Sequence, residues 1–473
     1  MVLLIVLAGL PILISPTSAQ QNDSIARSFQ SDISLITQVA GQAVCQSSEQ
    51  LYSLYLLEHT TNESLKILNP RPQAAPTQLQ IILRGTQQLE SFPQAKAAFL
   101  RAAATWQSVI QTPIRIIIDV DFGPKFFGKP FPPLGNFTTL GLTSAQIVAD
   151  RSGYSRIRDS LIANASSDQE LLIYHMLPSE SLPTDLGKTS AMSAPSALFR
   201  TLGILAPIAD PDKETDLGPP PMIGFNSENS FDFDPSNGID SKAYDFEGLA
   251  LHEIGHVLGF RSNTGLQNAG PSQPPFISIW DLFRFRPGTT LNSFTTAPRI
   301  LTVGGSQVFY VGNQELALST GIYGGDGRQP SHWKDSVFVG NAIGVMDPIR
   351  NFGEFTPITQ NDLLALDFFG HRLADFALNF DVTRLTLTRG ESGQFNALIN
   401  RNGGYLGKVT VTALNTKSLK IKLAKNGQTT SGTTIRFDLK IKTKAPLGIK
   451  QLLFTAQDEF GRQRIAKLEI EIQ

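Results

Sequence analysis

The sequence predicts an α+β domain followed by an all-β, immunoglobulin-like sandwich, on three observations. At 473 residues the chain is too long for one ordinary domain. Residues 77–122 read as strand, helix, strand, and a strongly apolar helix lies further on. From about Phe376 the texture changes to short alternating strands with Gly and Asn turns, as in GQFNALINR, GKVTVTAL and TTIRFDLKIK. Such a run over 376–473 suits a β-sandwich, although the Cys…Trp…Cys signature of immunoglobulin domains is missing. Apolar residues make up 41% and charged residues 17%, enough for sizeable cores and unlike a disordered or collagen-like chain.

The N-terminus opens with a thirteen-residue apolar run, VLLIVLAGLPILI, too short to span a bilayer but suited to a signal-peptide core. Thr17, Ser18 and Ala19 supply small residues for cleavage, so 1–19 is read as a signal peptide and the protein as secreted. No other segment reaches roughly 18 apolar residues, so no membrane span is expected. Residues 20–75 are expected to be helical, with apolar positions at Ile33, Leu35, Ile36, Val39, Leu51 and Leu54. A Pro-rich joint, NPRPQAAP, closes that piece.

After the joint, Leu79 to Leu83 reads as a strand, and Pro93 to Val109 as an Ala-rich helix with proline in its first turn. Ile114 to Val120 is β-branched enough to be a buried strand. Strands are also expected at Glu170 to Met176, carrying His175, and at Met222 to Phe225. Net charge is −1 overall, which argues against a nucleic-acid binder. Residues 376–473 carry sixteen Lys/Arg against seven Asp/Glu, a net of +9 that leaves −10 for the rest. That basic module offers a docking face for anionic surfaces or polymers, although lysines on solvated strand faces explain it as well.

The chemistry sits in FEGLALHEIGHVLGF, residues 246–260. His252 and His256 are four apart, so a helix projects both imidazoles from one face toward one metal. Glu253 beside them serves as general base without being a ligand. Zinc suits imidazole donors and keeps an open position for water, whose proton Glu253 takes as it attacks a carbonyl. With six histidines, H-E-x-x-H arises by chance under about 0.01 times in such a chain. Gly259 is placed to end the helix in a left-handed turn.

Two histidines and a glutamate are not a complete site, so a third ligand is needed; the single cysteine, Cys45, excludes a cysteine cluster and any internal disulfide. Extending the motif as H-E-x-x-H-x-x-G-x-x-H puts Ser262 at the last position, a poor ligand. Of the remaining histidines, His59 lies in the N-terminal piece and His371 is read as a helix C-terminal cation favoured by the dipole. His332 stands in PSHWKD, shortly before GVMDP. H-E-x-x-H-x-x-G-F, a long insertion, S-H-W and a methionine turn together resemble leishmanolysin-type metzincin metallopeptidases over roughly 76–374.

The resemblance implies a metzincin-like zinc metalloprotease domain with His252, His256 and His332 on zinc and Glu253 as general base. It also implies Met346 in the Met-turn beneath the ligands. The cysteine-rich framework of leishmanolysins is absent. In the insertion, 261–331, the run RILTVGGSQVFYV is expected to form a hairpin turning at Gly304 and Gly305. Asp281 is the reserve third ligand. Asp232, Asp234 and Asp240 are candidates for calcium, and a plain surface turn explains them equally. By the same resemblance, Cys45 would block the zinc as a cysteine switch and make 20–75 a pro-segment; a small buried hydrophobe is the alternative.

The expected function is therefore a secreted zinc endopeptidase acting on protein or peptide substrates. Two alternatives stay open: a non-catalytic surface or adhesion protein with a structural zinc site, and a zinc amidase acting on cell-wall peptides.

Overall fold

A computed structural model describes residues 30–39, 42–47, 64–70, 74–132, 138–266 and 274–473. The expected signal segment, His59, Leu51 and Leu54 lie outside these residues. Within 20–75 the helical expectation is corrected: β1 (Gln30–Val39) and β2 (Gln42–Ser47) are strands. The apolar spacing from Ile33 to Val39 fits a helical and a strand period alike, and long-range pairing decides between them. After the short β3 (Lys66–Ile67) come β4 (Gln80–Gly85), α1 (Pro93–Val109) and β5 (Arg115–Gly123), close to the expected elements. All nine residues of β5 are buried, as an Ile-rich central strand requires.

The long β6 (Thr138–Asp150) follows, then α2 (Tyr154–Asn164) and α3 (Asp168–Met176). The last of these replaces the strand expected at 170–176. Ser167 and Glu170 form a reciprocal capping box there, and local capping overrides the strand-like composition. His175 is exposed in the last turn of α3. Then come β7 (Met192–Pro195), α4 (Ser196–Thr201), β8 (Met222–Asn226) and α5 (Phe246–Leu258), the helix bearing the histidine motif. After the insertion, β9 (Ile349–Asn351) and α6 (Gln360–Phe368) complete this part of the chain.

One twisted sheet runs β9-β2-β1-β6-β8-β5-β4-β3, with β7 pairing the far end of β6. β4, β5 and β8 are parallel, whereas β6 runs antiparallel between β8 and β1. α1 and α5 pack on each other beside the sheet. Ala95, Ala98, Phe99, Ala102, Trp106 and Val109 form the buried stripe of α1, spaced as a 3.6 period demands. Small alanines let α5 come close, and Trp106 Nε1 donates to the Leu251 carbonyl at 3.0 Å. Asp245 caps α5 by accepting from the Gly248 amide at 3.0 Å. Gly259 ends it at φ +145°, where an added Cβ would press on Leu198 and Phe369.

In the insertion, Arg284–Phe285, Gln307–Tyr310 and Glu315–Leu318 form a small antiparallel sheet. Its hairpin turns through 311–314, not at Gly304 and Gly305 as the sequence suggested. Those two glycines, both at positive φ, instead end an excursion whose Gly304 amide bonds to the Thr320 carbonyl.

Residues 375–472 form a sandwich of a four-stranded and a five-stranded sheet. The strand Thr434–Ile441 alternates exposed and buried residues without a break. Phe395, Phe437 and Phe454 meet at its centre with ring centroids 5.3–5.6 Å apart. The basic excess is on the outside: Lys408, Lys422, Lys440, Lys442 and Lys444 are all exposed. Two hydrogen bonds fasten the sandwich to the first part, Gln360 N to the Phe460 carbonyl at 2.8 Å and Arg462 Nη1 to the Ala374 carbonyl at 2.6 Å.

Candidate metal centre

His252 and His256 leave α5 one turn apart, and His332 approaches from the end of the insertion. Their ring centroids form a triangle with sides of 4.9, 5.0 and 4.9 Å. All three imidazoles are buried, and one ring nitrogen of each lies within 4.8 Å of the other two. These three residues could hold a metal ion.

Each imidazole is aimed by a backbone carbonyl. His252 Nδ1 donates to Val345 at 2.8 Å, His256 Nδ1 to Phe260 at 2.7 Å and His332 Nδ1 to Gln329 at 3.0 Å. A carbonyl only accepts, so the proton sits on Nδ1 of each imidazole, and Nε2 is the nitrogen suited to a metal. Nε2 of His252 and of His332 are 3.0 Å apart, near the separation of about 3.3 Å that tetrahedral zinc with Zn–N bonds of about 2.05 Å sets. Burial lowers the pKa of all three, that of His256 to about 4. Mutual repulsion and the Arg350 charge add to the effect at His252 and His332. The set is therefore neutral at pH 7, the form that binds metals.

Met346 packs against α5 between the two histidines. Gly344 to Asp347 make a tight turn, with the Asp347 amide bonded to the Gly344 carbonyl at 3.1 Å. Met346 is fully buried, and a Cβ added at Gly255 would stand only 2.6 Å from its sulfur. The glycine between the two histidines thus makes room for the methionine.

Glu253 is fully buried, and neither of its oxygens has a hydrogen-bond partner. Burial pushes its carboxyl up to about 7; the nearby Thr143 hydroxyl and Arg350 guanidinium pull it part of the way back. A buried carboxylate without partners is expensive, so it stands where a substrate or water would complete it. It shares one small gap with His252, Asp347 and Arg350.

Three residues that the sequence did not single out hold this arrangement. Arg350 Nη2 donates to the Val345 carbonyl, the same acceptor that His252 Nδ1 uses, and lies 3.2 Å from that nitrogen. Asp362 accepts from Trp333 Nε1 and from the Val345 amide, both at 2.8 Å, tying the neighbour of His332 to the residue that aims His252. Its only sequence signal is the capping box it forms with Thr359. Thr143, on β6, brings its hydroxyl near Glu253.

Other candidates are corrected. Asp281 is not at the metal group: its oxygens accept from Ser262 Oγ, the Asn263 amide, Ser278 Oγ and Arg284 Nε at 2.7–2.9 Å. Its carboxylate holds the insertion together, and Ser262 serves it as a donor. His371 is not charged at a helix end as the sequence suggested. It is buried, donates Nε2 to the Leu258 carbonyl at 3.0 Å and is held to about 4 by burial. Asp232, Asp234 and Asp240 do not converge as a calcium site. They accept from the amides of Asp234, Ser236, Asp240 and Lys242, as turn carboxylates do. Among the described residues, only the histidine group gathers three ligand atoms in this way. Cys45 lies in β2 with its backbone opposite Ile36, and its thiol lies outside the described atoms.

No protein-family model matches the chain, and no curated protein sequence matches it. Among solved structures, domains 4 and 5 of the S-layer protein SbsC are similar at 14% identity and a TM-score of 0.15. The match covers 21% of this chain and 53% of that one. The BIgI domain of the beta protein from S. agalactiae, bound to CEACAM1, is similar at 19% identity and a TM-score of 0.16, over 21% and 97% of the two chains. Murine CRIg is similar at 12% identity and 0.15, over 21% and 97%. Likenesses this slight say nothing about what the chain does.

Proposed function

We propose that this chain is a secreted zinc-dependent endopeptidase, with His252, His256 and His332 as metal ligands and Glu253 as general base. One observation carries the reading: three neutral, carbonyl-aimed imidazoles converge beside a buried carboxylate that has no partner of its own. A zinc ion held there would supply Lewis acidity toward a scissile carbonyl and acidify a water. Glu253 would serve as the base that takes a proton from the attacking water and hands it to the leaving amine. The carbonyls of Val345, Phe260 and Gln329 keep the imidazoles from turning.

A structural zinc site, as in a surface or adhesion protein, is disfavoured because such a site has no use for an unpartnered carboxylate. A zinc amidase acting on cell-wall peptides uses the same groups and differs in substrate. The test is hydrolysis of a quenched peptide and of a cell-wall peptide by the zinc-loaded chain, with chelator and Glu253→Ala as controls. Chelator-sensitive peptide cleavage that needs Glu253, with zinc retained in the variant, is the expected result. Cleavage of the cell-wall peptide alone would move the assignment to the amidase, and a folded, zinc-loaded chain inert on both would end the enzymatic reading.

A further inference from the structure

Between the third imidazole and the methionine turn, the chain makes a loop with apolar side chains on its outside. From Ser336 to Met346 the sequence is SVFVGNAIGVM, eleven residues without a charge. It opens with the one-turn helix Ser336–Val339, of which no residue is buried. Val337, Phe338 and Val339 are 67, 53 and 42% exposed, and Gly340, Asn341 and Ala342 after them are exposed as well. Single apolar residues on a surface need no explanation, but three large ones in succession do.

The loop is fixed from within. Asp335, fully buried, caps the turn by accepting from the Val337 amide at 2.9 Å and pairs with Arg328 at 2.7 Å. Asp347 accepts from the Ser336 amide at 3.0 Å. At the other end the Ile343 carbonyl accepts from Asn361 Nδ2 at 2.8 Å and from Thr359 Oγ1 at 3.0 Å. Lys334 Nζ stands 4.7 Å from the centre of the Phe338 ring and is paired with Asp326 at 2.7 Å. Polar groups thus hold both ends while the apolar side chains between them face outward.

Direction and area decide what those side chains meet. Successive residues on a helical turn point about 100° apart, so Val337, Phe338 and Val339 cannot all lie against one solid protein surface. Together they offer on the order of 300 Å², against the roughly 800 Å² that each partner buries in a stable protein interface. Fluid hydrocarbon closes around diverging side chains, and a small uncharged apolar tip suffices for reversible binding. No helix among the described residues is long and apolar enough to cross a bilayer. We propose that residues 337–342 are a membrane-surface loop, which dips into one face of a lipid bilayer and seats the chain there beside its metal group. The inference does not rest on the peptidase reading.

The test is co-sedimentation of the full chain with phosphatidylcholine vesicles, and with vesicles that also contain phosphatidylglycerol, at low and high salt. Wild type is compared with the triple change Val337→Ser, Phe338→Ser, Val339→Ser. Ile465→Ser, which removes a single residue 68% exposed on the sandwich, is the control. A contact of this size binds weakly, so lipid is taken to about millimolar. Wild type and Ile465→Ser should bind neutral vesicles with little dependence on salt. The triple variant should bind at least about tenfold more weakly, with an unchanged melting temperature. Emission of a Phe338→Trp variant should shift to shorter wavelength on vesicles and be quenched by brominated lipid.

Binding confined to anionic vesicles and removed by salt would overturn the proposal in favour of the sandwich lysines. Absence of binding would overturn it outright, as would equal binding by the triple variant. Self-association abolished by the triple change, without vesicle binding, would assign the loop to a second copy of the chain. A raised KM for peptide cleavage, again without vesicle binding, would assign it to substrate.

Discussion

The two halves of this molecule bury different things. The sandwich buries apolar side chains in clean alternation and leaves its lysines in water. The first half places a carboxylate without a partner, three imidazoles and the guanidinium of Arg350 within one core. Among the described residues of the sandwich, the buried polar atoms without partners are on Tyr405 and Arg462, next to the junction. A fold gains nothing in stability from stranding Glu253, so that arrangement is explained by chemistry and the sandwich by packing.

The sharpest way to break this contrast is to change the carboxylate alone. Glu253→Gln should lower kcat/KM for peptide cleavage by roughly 10²–10⁴-fold, with zinc content unchanged and the melting temperature the same or higher. A marked loss of stability would mean that Glu253 supports the fold and has been misread. The mirror experiment lies in the other half. Phe437→Ala, in the stacked centre of the sandwich, should cost about 3–5 kcal/mol in denaturant unfolding while zinc content per folded chain holds. Loss of zinc there would show that the halves are coupled through their junction.

A third change separates ligand from scaffold. His332→Ala should cut zinc affinity at least about 100-fold, whereas Asp281→Asn should destabilise by about 1–3 kcal/mol and keep the metal, as read by mass spectrometry under native conditions. The opposite pattern would return Asp281 to the ligand set.

A fourth, pH-dependent effect comes from His371. Burial holds it to about 4, against 6.5 for the ordinary imidazole, so it is neutral in the fold. Above pH 6.5 this costs nothing. As pH falls from 6.5 toward 4 the unfolded chain takes up a proton that the fold refuses. Stability should decline across that window by up to about 3 kcal/mol and level off below it. His371→Gln should flatten this slope; an unchanged slope would assign it to other groups. The smallest effect is expected from Met346→Leu, a near-isosteric swap costing less than about 1.5 kcal/mol, with zinc retained.

What the sequence revealed follows the range of the signals involved. α1, β5 and α5 were legible because proline at a first turn, a β-branched run and an H-E-x-x-H repeat are all local. Gly259 marked the end of α5 for the same reason. β1 and β2 were misread as helix because their identity comes from pairing with β6 and β9, more than 100 and 300 residues away. His332 lies 76 residues beyond His256, and only a resemblance in motif order pointed to it. The carbonyls that aim the imidazoles had no side-chain signature at all. Nothing in the sequence marks Arg350, and only a capping box with Thr359 marks Asp362, before the fold brings both inward.

The insertion has a consequence of its own. Arg284, fully buried, donates to Asp281, to Gln307, and to the carbonyls of Ser319 and Pro330, two residues before His332. Ser262, just past the end of α5, donates its amide to Ser331. The insertion between the second and third imidazoles is thus clamped at both ends and exposed at turns such as 286–290 and 312–314. Length could be added or trimmed at those turns without moving the third imidazole. In a relative of this protein, the spacing between the two histidine motifs would then be a poor guide to kinship, and a buried arginine three residues after an aspartate a better one.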